Sequence, residues 1–431
     1  EIRPMSTVKD RPYWWEEAEP QHADEGTPPE TADVVVVGGG YAGMGAAIPL
    51  SRDGRDVVVL ERDRPGDGAS SRNGGITSGN IRLSFSKLID KFGLEHAKAF
   101  YEEGRVARQD LFDFIEAEKL DCDLQLVGRF TGAMRPEILE NMKREAEKLH
   151  RHVGIEMKII ERADQHDEIG SDLYHGGAVR SDMGGVHPGK LHRELHRVAK
   201  ASGAKIFSGV GVTNIERVGG TFTVTTPKGK IKANHVIVCT NGYTDKGLPW
   251  LRRRLVPVIS EMIATEPLSP NLMATLMPKK QMHGETRQLG HYYRPSPDGT
   301  RILLGGRRYD NDAAKARERL RGGLLEIFPD LSENRLSHHW FGFVAFPMDE
   351  LPKLTIHDGV VYATGFCGSG VVWARWLGMK AAMVVMGREE GASAFDKVPF
   401  RAIPFYNGTP WFLPVMMNWY KLKDRMTGTL K

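Results

Sequence analysis

The sequence predicts a two-domain α/β protein in which a Rossmann-like, largely parallel sheet is joined to a second, mostly antiparallel sheet. Three observations lead there. The stretch Asp33 to Glu61 (DVVVVGGGYAGMGAAIPLSRDGRDVVVLE) reads as strand, glycine turn, helix, strand and acid. The stretch Lys230 to Gly242 (KIKANHVIVCTNG) returns to an apolar strand ending in a turn of small residues, as a strand buried on both faces of a parallel sheet does. Between Leu255 and Leu354 the pattern changes to mixed β segments rich in aromatic residues.

The first of these stretches carries the chemistry. Gly38, Gly40 and Gly43 stand in the spacing G-x-G-x-x-G between a strand and a helix. The glycines let the backbone turn tightly against a pyrophosphate, and the helix start offers unpaired N–H groups and the positive end of its dipole. Glu61 closes the second strand, where a carboxylate accepts hydrogen bonds from ribose hydroxyls. This is a Rossmann-like βαβ unit. Pro49 falls inside its helix and is expected to kink it, at a cost of about 3 kcal/mol.

Composition bounds the rest. At 431 residues, 40% hydrophobic and 26% charged, the chain can bury large cores. A net charge of +4, with acids interspersed among the bases, leaves no nucleic-acid footprint. The three cysteines form no C-x-x-C pair, which argues against a disulfide scaffold or zinc site and predicts a reducing compartment, the cytoplasm. No segment approaches roughly 18 uninterrupted apolar residues, and the most apolar helix, Val371 to Met386, carries Arg375 and Lys380. Met5 reads as the natural start, after four residues without signal-peptide character.

In chain order, the segment 5–30 is polar around Tyr13, Trp14 and Trp15, whose rings should pin it across the main body. Arg62 to Gly79 is a long loop of small and polar residues that can approach a flat ring. Helical spacing follows from Phe85 to Leu120 and again from Pro136 to His150. A turn at Gly184 to Pro188 precedes a helix from Gly189 to Ser202, in which His192 and His196 are read as solvent-facing or capping residues rather than metal ligands. Short strands lead to the returning strand and the turn Cys239, Thr240, Asn241, Gly242. A strand and second glycine turn, Gly359 to Gly370, open the last long helix. The tail is rich in aromatics and ends in basic residues, but its prolines (Pro399, Pro404, Pro410, Pro414) interrupt helix amphipathicity, so it is expected to pack on the body. The division is thus an extended segment (5–30), a discontinuous nucleotide domain (31–90, 184–250, 355–390), a substrate domain (91–183, 251–354) and a packed tail (391–431).

The motifs VVVVGGGYAG (Val34 to Gly43), VVLERDRPGDGASSRNGG (Val58 to Gly75), GGVHPGKL (Gly184 to Leu191), VIVCTNGYT (Val236 to Thr244) and ATGFCGSG (Ala363 to Gly370) resemble the flavin-dependent D-amino-acid oxidase superfamily, which includes glycine, sarcosine and γ-glutamylputrescine oxidases. The YWW segment, the GASSRNGG loop and the WYKLKDRM tail (Trp419 to Met426) look most like the γ-glutamylputrescine oxidase branch. The resemblance implies non-covalent FAD, with Gly38, Gly40, Tyr41, Ala42 and Gly43 at the pyrophosphate, Glu61 at the ribose, and Arg62 and Val210 or Val212 at the adenine. It places Gly68, Ala69, Ser70, Arg72, Asn73, Gly74 and Gly75 along the flavin, with Thr240, Asn241 and Gly242 over the pyrophosphate. Gly365, Phe366, Gly368, Ser369 and Gly370 would bring the last helix start to the flavin pyrimidine, where its dipole favours negative charge.

Two departures shape the expected chemistry. The family pattern G-F-S-G-H-G stands here as Gly365, Phe366, Cys367, Gly368, Ser369, Gly370, so the usual serine and histidine are Cys367 and Ser369. The stretch that usually carries a carboxylate-binding arginine reads Trp340 to Pro347 without one. An α-amino acid therefore loses its clamp, and the expected substrate is a primary or secondary amine, with any remote carboxylate met by Arg294, Arg307 or Arg308. Tyr292, Tyr293, Trp340, Phe343 and Phe346 are the expected pocket walls. The expected reaction passes a hydride from the carbon beside nitrogen to flavin N5 and gives an imine. Electrons pass on to O2 or another acceptor. Amino-acid oxidation, amine desaturation without cleavage, and a scaffold whose flavin site has decayed are the alternatives.

Overall fold

The computed structural model describes residues 8–23, 26–308 and 312–426, so the start expected at Met5 and the last residues of the tail lie outside the described residues. Two eight-stranded sheets organise the fold. In chain order the strands are β1 (Thr31–Val37), β2 (Val57–Leu60), β3 (Arg129–Gly132), β4 (Lys158–Ile160), β5 (Gly177–Arg180), β6 (Lys205–Phe207), β7 (Asn214–Val218), β8 (Thr221–Thr226), β9 (Gly229–Val238), β10 (Val256–Thr265), β11 (Met282–Glu285), β12 (Tyr292–Pro295), β13 (Ile302–Arg307), β14 (Leu336–Phe346), β15 (Lys353–His357) and β16 (Val360–Thr364).

The first sheet runs β15-β16-β9-β1-β2-β6, and β7 and β8 extend it from β9. Its centre is parallel. Side chains alternate along a strand, so Val34 and Val36 enter one core while Val35 and Val37 enter the core on the opposite face. That is why β1 is apolar throughout.

On one face the helix Tyr41–Arg52 crosses the helix Gly370–Val385. The crossing is backbone against backbone: a Cβ on Gly378 would run into Ala42 O, and one on Gly45 into Arg375 O. The first helix continues past Pro49 to Arg52, and Pro49 O accepts the N–H of Asp53 at 3.0 Å. The expected kink does not interrupt it. The helix Leu94–Ala117 shares the same core, with the Phe100 ring centre 5.1 Å from that of Phe395. It therefore packs with the nucleotide-binding half, although the sequence division groups it with the substrate domain.

The second sheet runs β14-β10-β13-β12-β11-β3-β5-β4, antiparallel except for β11 beside β3. The segment before β1 is drawn in more deeply than a surface strap. Trp14 is fully buried, and Tyr13 and Trp15 join Trp340 and Leu303 in a small core against this sheet.

The tail does form a helix, Leu413–Met426. Pro414 sits in its first turn, where a missing N–H costs nothing. Met417 and Asp424 are buried against the body, and Asp424 accepts the backbone N–H groups of Gln288 at 3.0 Å and Leu289 at 3.2 Å. Trp411, Val415, Trp419, Leu422 and Met426 face outward.

The helix crossing makes one substitution unusually costly. Gly378→Ala forces the two backbones apart and is expected to cost about 1–3 kcal/mol, read as a lower midpoint of thermal unfolding. Gly322→Ala, on an exposed helix position with open space around it, is the control and should hold or raise the midpoint.

Candidate active site

One cavity of about 570 Å³ runs between the two sheets. At one end it is lined by Gly38, Gly40, Tyr41, Ala42, Glu61, Arg62, Val210 and Val212. Gly38 turns with φ +107°, and a Cβ there would sit 2.9 Å from Cys239 O. No side chain caps the helix start at Gly40, which leaves that N-terminus available to an anion. Gly43 does not line the cavity; its missing Cβ lets the helix close onto Gly38 O. Glu61 accepts N–H groups from Gly39 at 2.7 Å and Asp63 at 3.0 Å. Burial raises its pKa, against the pull of those two donors. Arg62 is held by Asp63 at 3.1 Å and Asp245 at 3.5 Å.

The loop Gly68 to Gly75 forms the middle of the wall. Ser70 Oγ accepts the Tyr41 N–H at 2.9 Å, and Asn73 folds the loop on itself, donating to Ala69 O and accepting from Gly75 N–H at 2.7 Å. Three indoles brace it from outside. Trp14 donates to Asn73 O at 2.8 Å, Trp15 to Ser71 Oγ at 2.9 Å and Trp340 to Arg72 O at 2.8 Å. Arg294 donates to Gly74 O, Gly75 O and Val186 O.

Thr240 and Asn241 line the opposite side, and Asn241 Oδ1 accepts the Gly365 N–H at 2.9 Å, tying the two small-residue turns together. Gly242 and Gly365 are outside the lining. Gly242 makes room for Phe343, and Gly365 turns with φ +71° against Pro347. Phe366, Gly368, Ser369 and Gly370 line the cavity where the last helix begins. Cys367 sits among them with φ +52°, its thiol donating to Gly365 O and raised in pKa by burial, so it stays protonated.

The second sheet supplies the remaining wall: Tyr292, Phe343, Phe346 and Arg307 line it. Tyr293, Trp340 and Arg294 do not. Strand parity explains Tyr293, which points to the opposite face and stacks on His283 at 5.0 Å. Trp340 and Arg294 are struts of the loop rather than pocket walls. Arg308 pairs with buried Glu261 at 3.2 Å and is outside the lining as well.

Several lining residues went unread in the sequence: Arg82, Arg129, Ser260, Glu285, Arg287 and His291. Arg129 and Phe130 alternate on a four-residue strand, too short for a period-2 signal to stand out. His192 is a second miss. It is buried, and its Nε2–H donates to Gly39 O at 2.7 Å, so it props the glycine turn instead of facing solvent. His187 does cap its helix, accepting the Lys190 N–H at 3.1 Å. No cluster of metal-binding side chains occurs among the described residues, and no helix among them is long and apolar enough to cross a membrane.

Comparison with known proteins agrees with this geometry. Residues 33–383 match the family described as FAD dependent oxidoreductase. The chain is 30% identical over 406 residues to the γ-glutamylputrescine oxidoreductase of Escherichia coli (strain K12), covering 92% of this chain and 93% of that protein. It is 29% identical over 401 residues to a probable oxidoreductase, OrdL, of Rhizobium meliloti (strain 1021), covering 91% and 92%. The crystal structure of glycine oxidase from Geobacillus kaustophilus superposes with a TM-score of 0.72 at 20% identity, over 87% of this chain and 99% of that one, which is a likeness of fold.

Burial lowers the pKa of His192 from 6.5 to about 4. Between those values the unfolded chain binds a proton that the folded chain refuses, so stability is full above about pH 6.5 and drains as the pH falls through 4. His192→Gln, which keeps a donor but cannot titrate, is expected to flatten this slope. Thermal midpoints of both proteins between pH 7 and 4.5 test it; parallel curves would remove His192 from the account.

Proposed function

We propose that this chain, which belongs to the FAD-dependent oxidoreductase family, oxidises the C–N bond of a primary or secondary amine of the γ-glutamylputrescine-like or N-substituted kind. The carrying observation is the wall on β14. Gly342, Phe343, Val344 and Phe346 line the cavity there, and none can pair with a carboxylate placed beside the reacting nitrogen.

The cavity suits the family's cofactor. It runs unbroken from the βαβ turn to the start of the last helix, offers two helix N-termini, and is lined at the βαβ end by the half-buried carboxylate of Glu61, which suits a ribose. When bound, FAD supplies the acceptor for a hydride from the carbon beside nitrogen. The substrate gives up that hydride and a nitrogen-bound proton, and the imine adds water to yield an aldehyde and either ammonia, from a primary amine, or an amine, from a secondary one.

The protein's own contribution is placement and desolvation. Phe343 and Phe346 present apolar surface, and such surroundings favour a neutral amine over an ammonium ion. Tyr292 shares a hydrogen bond with Ser260 at 3.1 Å, and burial raises its phenol pKa, so it serves as a wall and donor rather than a base. Cys367, protonated and turned to a backbone carbonyl, is not poised to form a bond to flavin. The electrons pass on to O2 or another electron acceptor.

Arg307 favours a second reading. It lines the same cavity beside Phe346, its guanidinium 4.9 Å from the ring centre, where an amino-acid carboxylate could reach it.

Anaerobic addition of primary amines, N-methyl amines and γ-glutamyl amines is expected to bleach the flavin absorbance, and addition of α-amino acids is not. Bleaching by amino acids alone would reverse the assignment in favour of the Arg307 reading. Acid precipitation of the protein should leave all the flavin in the supernatant; yellow precipitate would mean a covalent link.

A further inference from the structure

We propose that Arg129 is a binding site for a carboxylate carried by the substrate several bonds from the carbon that is oxidised. This rests on the amine-oxidising reading above and names the kind of amine: one with an anionic end group.

Register places the residue. Thr131 on β3 pairs with Gly284 on β11, and Gly284 pairs with Tyr292 on β12. Arg129 and Thr131 share a face of their strand, so Arg129 stands on the face that Tyr292 presents to the cavity. Its guanidinium lies over Gly284, where a Cβ would come within 2.5 Å of Nη2. The absence of a side chain at Gly284 makes the room.

What distinguishes Arg129 is the lack of a counter-charge. No group among the described residues accepts a hydrogen bond from it, and its Nε is buried without a partner. The charged group that acts on it is another cation, Arg180, itself engaged by Asp182 at 2.8 Å and 2.6 Å. Of the buried arginines, Arg287 pairs with Glu326 at 2.7 Å and Arg375 with Asp110, while Arg294 spends its donors on backbone carbonyls. Arg307 has Glu350 nearby and the face of Phe346. A half-buried cation with a buried, unpartnered Nε and no counter-ion carries a desolvation cost, and an incoming carboxylate would reduce it.

The adjacent acid does not fill the role. Glu285 accepts from His291 N–H at 2.9 Å and from the Tyr174 hydroxyl at 3.2 Å, and it meets Arg287 at 3.3 Å. Its charge is spent there.

Separation from the reacting carbon follows from strand order. Tyr292 lies against Gly74 of the loop that lines the flavin. The Tyr292 ring leans over Gly305 on β13 and the Arg129 guanidinium over Gly284 on β11, two strands apart, which is about 10 Å at strand spacing. A carboxylate on the same carbon as the nitrogen is too near to occupy both places, whereas an ω-amino carboxylate can.

The test uses the FAD-loaded enzyme under anaerobic conditions. Half-saturating concentrations for flavin bleaching are compared for pentylamine and 5-aminopentanoate. Glutarate, which cannot be oxidised, is titrated by its perturbation of the flavin spectrum. In the wild type the carboxylated amine should win by at least about tenfold. Arg129→Gln should erase that advantage and weaken glutarate by a similar factor, with a much smaller effect on pentylamine, and Arg129→Lys should restore part of it. Equal losses for both amines, or no change for either, would overturn the site. If amines bleach the flavin but glutarate and 5-aminopentanoate ignore Arg129, the carboxylate site falls and amine oxidation stands. If no amine bleaches the flavin yet glutarate binds in an Arg129-dependent way, the reverse holds. Should Arg129→Gln fail to fold, the wild-type preference and glutarate competition against 5-aminopentanoate decide alone, and a wild type without preference refutes the proposal.

Discussion

Everything that faces the cofactor cavity depends on two helices lying closer than side chains allow. Gly45 and Gly378 put backbone on backbone between the helices Tyr41–Arg52 and Gly370–Val385. Because the helices are locked together, their N-termini open into the same cavity. Each contributes unpaired N–H groups and a partial positive charge. One is read easily as a phosphate cradle. The other lies at the far end of the cavity, where dispersed positive charge costs no side-chain entropy.

The second constraint is the need to satisfy buried polar groups. A loop of small residues can lie along a flat ring only if its carbonyls find donors elsewhere. Trp14, Trp340 and Arg294 supply those donors to Asn73, Arg72, Gly74 and Gly75, and Trp15 adds a bond to Ser71. Residues that look like pocket walls by type are therefore a scaffold. The cavity surface on this sheet falls to their neighbours Tyr292, Phe343 and Phe346, and to Arg129.

Much of this was legible in the sequence. The glycine turn, the returning strand and the second turn announced a nucleotide site because each needs specific residues at close spacing. The sidedness of the second sheet was not legible. Tyr292 and Tyr293 are adjacent and chemically alike, and only register sends one into the cavity and the other into a core. His192 carries no local sign of burial, since its partner Gly39 is distant in sequence. Arg129 was missed for a related reason: a cation without a partner is visible only once every acid has been placed. Pro414 misled because a proline that breaks a helix interior is harmless in a first turn.

The arrangement of braces bears on how the protein is made. Trp14 and Trp15 hold the loop that follows the first βαβ unit, while Asp424, near the other end of the described chain, holds the backbone of Gln288 and Leu289 beside the cavity. A ribosome releases residues in order and early segments begin to fold as they emerge. The backbone contacts across the nucleotide cradle are complete only once the helix containing Gly378 has been made, and the bonds of Asp424 to the rim at Gln288 come later still. Through most of its synthesis this chain is therefore a half-built flavoprotein, and the cofactor site is among the last parts of the molecule to be finished.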